Sequence, residues 1–178
     1  IGDDFTTFGL PVNYVDFEQS LAHTKGRLPR GMLSGETILT GDNRVLLIMG
    51  FTSSISGTTT NCWIGQFGPS DNVQWQPAGV HPDGAGLRWF GTVKMPDNRI
   101  LVTGGFTGTF FRDLTYFGTI TGNVITWAQG TSIPVQVCQH GSTLTSDNRY
   151  VQVGGLISGL VATDVTRFGV VSGTTITW

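Results

Sequence analysis

Pro96-Asp97-Asn98-Arg99-Ile100-Leu101-Val102-Thr103-Gly104-Gly105-Phe106 decides the fold, because the chain repeats its pattern. Asp-Asn-Arg stands at Asp42-Asn43-Arg44, Asp97-Asn98-Arg99 and Asp147-Asn148-Arg149, in steps of 55 and 50 residues from 42 to 97 to 147. A Gly follows each Asp at the same distance: Gly50, Gly105 and Gly155. Outward from these, Phe-Gly recurs at Phe8-Gly9, Phe67-Gly68, Phe117-Gly118 and Phe168-Gly169, and an aromatic follows each at Phe17, Trp75, Trp127 and Trp178. A period near 50 with short apolar runs predicts stacked supersecondary units rather than one ordinary core.

The second copy shows what one unit builds. Residues 88–95 read as a first strand and Pro96-Asp97-Asn98 as a turn, since Asn tolerates the positive φ of tight hairpins. Residues 99–106 read as a second strand, apolar and β-rich enough to be buried on both faces. After a loop at 107–112 come a third strand at 114–120, a turn at Thr121-Gly122-Asn123, and a fourth strand at 124–128. Four antiparallel strands per unit, repeated, predict an all-β propeller, a fold of roughly four to eight blades.

The pattern resembles kelch repeats, in which a second strand ends in Gly-Gly and an aromatic and a Trp follow. The matches are Gly104-Gly105, Phe117 and Trp127, then Gly154-Gly155, Phe168 and Trp178. Met49-Gly50 departs from the double Gly, and Phe stands where the family usually has Tyr. The resemblance covers nearly the whole chain and implies a kelch-like propeller segment of about three and a half blades. The expected divisions are a partial blade at 1–29 and blades at 30–82, 83–134 and 135–178. Residues 1–25 match only the last two strands of a unit, at 5–9 and 12–17. That phase predicts a segment of a longer polypeptide, with completion by a second chain as the alternative.

Composition narrows the function classes. Hydrophobic residues make up 39% and charged residues 12%, with 26 Gly and a net charge of −2. Lys occurs only at Lys25 and Lys94, which argues against a nucleic-acid surface and against docking to anionic lipid. No run approaches the ~18 apolar residues of a membrane helix, and no signal peptide is visible. Low charge with abundant Thr, Gly, Asn and Ser fits secreted and virion-surface β-proteins. Cys62 and Cys138 fall in different blades, too far apart for the ~4.4–6.8 Å Cα separation of a disulfide, so both are expected to be buried thiols.

Repeated residues are expected to serve structure. Asp42, Asn43, Arg44, Asp97, Asn98, Arg99, Asp147, Asn148 and Arg149 read as turns with a locally paired Arg. Gly105, Gly155, Trp75, Trp127 and Trp178 read as frame and core. Function is expected where repeats differ, in loops 52–61, 107–113 and 157–164. Phe110, Phe111, Arg112 and Asp113 form one candidate patch, because aromatics and Arg dominate binding hot spots. Thr59 and Asn61 belong to the first loop. His81, Arg88, Gln139 and His140 lie on interblade segments, where Arg88, Gln139 and His140 are expected to face a central channel.

Catalytic signals are weak. G-x-S-x-G, H-E-x-x-H and Cys-x-x-Cys are absent, and His23, His81 and His140 fall in different phases of the repeat. No metal and no cofactor is expected. The reading is therefore a non-catalytic recognition or structural module, outside a cell or on a virus particle such as a phage tail or fibre. It would bind a protein or glycan and contact assembly subunits or the rest of the propeller, without nucleic acid or membrane. The alternatives are part of a secreted carbohydrate-active enzyme or a galactose-oxidase-like copper oxidase, and an intracellular kelch adaptor.

Overall fold

The computed structural model describes residues 26–28, 31–52, 57–69 and 72–178. The strands expected at 5–9 and 12–17, and His23, lie outside the described residues. All elements among the described residues are strands, and they make a β-propeller arc. The first blade is β1 (Glu36–Leu39), β2 (Val45–Phe51), β3 (Thr58–Phe67) and β4 (Val73–Val80). The second is β5 (Gly91–Lys94), β6 (Ile100–Thr103), β7 (Thr115–Thr121) and β8 (Val124–Gln129). A short β9 (Val137–Cys138) leads into the third blade, β10 (Gly141–Leu144), β11 (Arg149–Val153), β14 (Thr166–Ser172) and β15 (Thr175–Thr177). β12 (Leu156–Ile157) and β13 (Val161–Ala162) pair with each other and β12 with β9, giving a small three-stranded sheet. Each blade runs antiparallel in chain order, and the first strands stand side by side, β1 beside β5 and β5 beside β10.

Apolar seams hold the blades together. Leu46, Ile48, Met49, Cys62, Ile64 and Ala78 of the first blade pack on Leu87, Phe90, Ile100, Val102 and Ile125 of the second. Val93, Met95, Leu101 and Phe117 of the second blade pack on Tyr150, Val171 and Ile176 of the third. β6 is fully buried along Ile100-Leu101-Val102-Thr103, as its unbroken apolar run requires of a strand between two neighbours. Burying each such aliphatic side chain stabilises by about 1.5–3 kcal/mol.

The three Asp-Asn-Arg copies form the expected turns. Asn43, Asn98 and Asn148 have φ of 62°, 65° and 65°. Each Arg pairs with its own Asp, at 2.6, 2.7 and 2.5 Å. The motif also reaches beyond its blade. Arg44 Nη1 donates to Gly122 O (2.6 Å) and Asn123 Oδ1 (2.8 Å), in the β7–β8 turn of the second blade. Arg99 Nη1 donates to Gly173 O (2.9 Å), in the β14–β15 turn of the third. Arg99 also lies 5.1 Å over the Phe117 ring. Each of these two Arg residues is therefore a latch onto the next blade. Arg149 has no such partner among the described residues, and its side chain is 48% exposed against 14% and 21% for Arg44 and Arg99.

Several strand readings need correction. The first strand of the second blade begins at Gly91, not Arg88, and its second strand ends at Thr103, before the double Gly. Thr59 and Asn61 lie within β3 rather than in a loop, and loop 157–164 contains β13. The Phe67-Gly68 marker is out of register. Gly118 pairs with Trp127, and in the first blade the glycine paired with Trp75 is Gly65, so Ile64-Gly65 is the counterpart of Phe117-Gly118. A Cβ on Gly118 would sit 2.8 Å from Trp127 Cζ3, one on Gly65 3.0 Å from Trp75 Cζ3, and one on Gly169 3.2 Å from Trp178 Cδ2. The repeated glycine makes room for the facing indole. The aromatics at the ends are not core: Phe67 and Phe168 are exposed, whereas Phe117, covered by the third blade, is buried.

Candidate binding face

One end of the sheets is shaped by a repeated backbone device. Met49-Gly50, Gly104-Gly105 and Gly154-Gly155 all take positive φ, which throws the chain out of the second strand. Glycine suits this geometry, and Met49 adopts it at φ 42° against the usual steric cost. The next residue then folds back on the lead-in segment. Phe51 bridges Leu33, Phe106 bridges Arg88, and Leu156 pairs with Cys138. One residue on, Ser34, Trp89 and Gln139 hold φ of 54°, 59° and 52°. Every blade thus presents a lead-in pair and a return residue at one place: Leu33-Ser34 with Phe51, Arg88-Trp89 with Phe106, and Cys138-Gln139 with Leu156.

The second blade makes this place distinctive. The Arg88 guanidinium lies 4.4 Å from the Trp89 ring, 5.3 Å from Phe106 and 4.9 Å from Phe51 of the first blade. Trp89 and Phe106 stack at 5.8 Å with an interplanar angle of 11°. Phe111 packs against Phe106 with ring centroids 5.0 Å apart and the planes tilted by 51°. Phe110 projects outward and is 63% exposed. Its position is set by Thr107, whose N–H donates to Phe110 O (3.0 Å) and whose Oγ1 accepts from Phe110 N–H (3.0 Å).

The loop is tied down at both ends. Arg112 clasps the buried Asp83 with Nε–Oδ2 at 2.9 Å and Nη2–Oδ1 at 3.3 Å. Arg112 N–H donates to Gly105 O (2.9 Å), its carbonyl accepts from Val137 N–H (3.0 Å), and Asp113 O accepts from Ile133 N–H (2.8 Å). Among the candidates, Arg112 and Asp113 therefore hold the loop, while Phe110 and Phe111 form its outer part. Thr59 Oγ1 accepts from Asn61 N–H (3.2 Å), and Asn61 pairs with Val80. Gln139 is exposed at the same end, its N–H on Trp89 O (2.7 Å).

His140, expected to face a channel, is buried, and so is the binding candidate His81. His81 is buried edge-on to Tyr116 (4.5 Å) and Trp127 (4.7 Å), and its Nδ1 accepts from Asp83 N–H (3.2 Å). Burial pulls its pKa down to about 4, so the ring is neutral. His140 is buried between the second and third blades, with Nε2 3.1 Å from Thr103 Oγ1 and 3.4 Å from Tyr150 Oη. Tyr150 Oη and Thr103 Oγ1 are 2.5 Å apart. Burial likewise lowers His140 to about 4 and raises Tyr150 to about 12. No group of three or more His, Cys, Asp and Glu able to hold a metal occurs among the described residues. Cys62 and Cys138 are both buried and free, as expected, and burial pushes the Cys62 thiol up to about 12.

Trp89, Phe106 and Asp83 were not among the sequence candidates. Arg88-Trp89 reads as the start of a strand, and nothing in an aromatic side chain signals a positive φ. Asp83 falls in the segment between blades, and nothing beside it in sequence announces Arg112 as its partner.

No protein-family model and no curated protein matches the chain. Among solved structures it is similar to YjhT, a propeller-type protein, with a TM-score of 0.68 and 15% sequence identity. The match covers 85% of this chain and 46% of that one, so this chain spans about half the length of the solved relative. At this identity the likeness carries the fold alone.

Proposed function

We propose that the chain is a non-catalytic recognition module on a kelch-like propeller, binding a protein or glycan through the end that carries the double-glycine turns. The observation that carries this reading is the second-blade cluster of Arg88, Trp89, Phe106 and Phe111 with Phe110 projecting from it. The frame around the cluster is the same in all three blades, and only the side chains differ. Large aromatics beside Arg on a rigid loop are what a binding hot spot needs, since little ordering entropy is lost on contact. The kelch assignment is supported by the paired positive-φ glycines and by the Gly that faces each Trp. The Thr- and Gly-rich, weakly charged composition supports display outside a cell or on a virus particle.

The test is binding of the immobilised chain to candidate surface proteins and glycans, comparing Phe110→Ala and Phe111→Ala with the parent. Each substitution should weaken binding at least fivefold while the melting temperature stays within a few degrees. Unchanged affinity in a folded double variant removes the patch from consideration.

A further inference from the structure

We infer that Arg88 is an anion anchor on this face, and that the partner is a protein segment presenting a carboxylate beside an apolar side chain. The inference rests on the recognition reading above and narrows its partner.

Arg88 differs from the four arginines that form ion pairs, and from Arg167, which also has an unpartnered buried nitrogen, in being held by three aromatic rings. Arg44, Arg99, Arg112 and Arg149 each hold an Asp within 2.9 Å. Arg88 has no carboxylate partner among the described residues, and its buried Nε has no hydrogen-bond acceptor among them. Three aromatic rings hold it, and rings satisfy the face of a guanidinium but not its edge N–H donors. Nε is closed off from solvent, so a carboxylate would meet the terminal Nη donors, which a guanidinium held between rings presents pre-organised. The aromatic wall also keeps water away from one side, which strengthens a charge-assisted bond relative to one on an open surface.

The neighbouring groups favour protein over sugar. Phe110, the most exposed side chain of the cluster, is purely apolar and gains by burial under an aliphatic or aromatic group. The loop's hydroxyl at Thr107 is already engaged in its own turn, so it adds little to the hydrogen-bonding array a sugar ring asks for. The equivalent places in the other blades, Leu33-Ser34 and Cys138-Gln139, carry no cation, so the anchor is confined to the second blade.

The experiment is an NMR titration of the 178-residue chain with two probes, acetyl-Gly-Phe-Asp-Gly-amide and its Asn counterpart. Galacturonate and galactose form a second pair. The expected result is that the Asp peptide shifts the Arg88 Nε–Hε and Trp89 indole resonances. The Asn peptide should bind about tenfold more weakly, as the loss of one charge-assisted bond implies. Arg88→Gln should bring the two peptides to equal affinity, while Phe110→Ala should weaken both. Because the decisive comparison changes the probe and not the protein, it holds even if Arg88→Gln folds poorly. Equal affinity of the two peptides, both weakened by Phe110→Ala, overturns the carboxylate anchor and leaves the recognition face standing. Galacturonate shifting Arg88 while neither peptide does overturns the protein partner. No response at Arg88 to any probe overturns the anchor itself.

Discussion

Replacing Arg99 by Ala should destabilise the chain far more than the same change at Arg149. The two residues sit at equivalent positions of one motif and share the same local ion pair, Arg99 with Asp97 and Arg149 with Asp147. They differ in what lies beyond. Arg99 donates to Gly173 O at 2.9 Å and lies 5.1 Å over the buried Phe117 ring. Arg149 is 6.0 Å from the exposed Phe168 ring and reaches no following blade among the described residues. A bond from a charged donor contributes about 1.5–3 kcal/mol, and the stack on Phe117 adds about 0.5–1 kcal/mol. The solvent-screened ion pair is common to both positions and cancels in the comparison. Arg99→Ala should therefore cost about 2–4 kcal/mol more than Arg149→Ala, whose side chain lies in solvent. At about 2–4 °C per kcal/mol for a chain of this size, the melting temperatures should differ by about 4–16 °C. Urea melts followed by Trp fluorescence measure the difference, and hydrogen exchange should speed up in β14 and β15 for Arg99→Ala only. Equal losses at the two positions would refute the latch and leave only the turn as the motif's purpose.

Three further outcomes follow from the geometry. Asn98→Ala should cost about 1 kcal/mol, because Ala lacks the short polar side chain that lets Asn hold φ 65°, whereas Asn98→Gly should be close to neutral; chemical denaturation separates them. Gly118→Ala should be strongly destabilising, because its Cβ would lie 2.8 Å from Trp127 and 2.5 Å from Ile125; a folded variant with parent-like Trp fluorescence would contradict this. His81 and His140, held near pKa 4 by burial and near 6.5 when unfolded, are neutral in the fold, so the unfolded chain binds more protons below pH 6.5 and stability falls as pH drops from about 6.5 to 4. Each contributes a loss of up to about 3 kcal/mol, and His140→Gln should flatten part of that slope in melts taken across this range.

The repeat was legible because its signals are local. Asn in a tight turn, an unbroken apolar second strand and a following Gly each follow from backbone sterics over a few residues. The Phe67-Gly68 misreading shows where local pattern fails. β3 spans ten residues against seven in β7, and bulges at Ile48/Gly50 and Cys62/Trp63 shift the register. The Phe-Gly pair therefore lies three positions beyond the glycine that faces Trp75. The burial of the two candidate histidines was hidden for a different reason. Their burial is created by another blade, Tyr116 and Trp127 for His81, Thr103 for His140, and nothing beside them in sequence announces those neighbours. The candidate site was half legible. Phe110 and Phe111 stood out as loop aromatics, but the platform they join depends on Trp89 holding φ 59°.

The two seams between blades show how the repeat separates frame from specialisation. The latches, turns and Gly–Trp pairs recur because each seam must fix the same stacking geometry. The interior of each seam is free to vary around them. Between the first and second blades, the positions at Ile48, Cys62, Ile100 and Val102 are apolar. The register places Thr103, Thr115, Tyr150 and Gln152 at the corresponding positions between the second and third. There a Thr103–Tyr150–His140 cluster is buried, and Thr115 and Gln152 have buried polar atoms without a protein partner among the described residues. Such groups cost stability unless something satisfies them, so a polar seam tolerates its neighbours only where outside ties hold it shut. Arg99 on Gly173 is one such tie, and Trp178, whose indole N–H donates to Ser132 O at 3.0 Å, is another. The same separation operates at the binding face. The paired positive-φ turn, Met-Gly in the first blade and Gly-Gly in the other two, and the left-handed residue after the lead-in recur in all three blades, so the side chains placed there can change without disturbing the fold. Arg88 and Trp89 exploit that freedom in one blade alone.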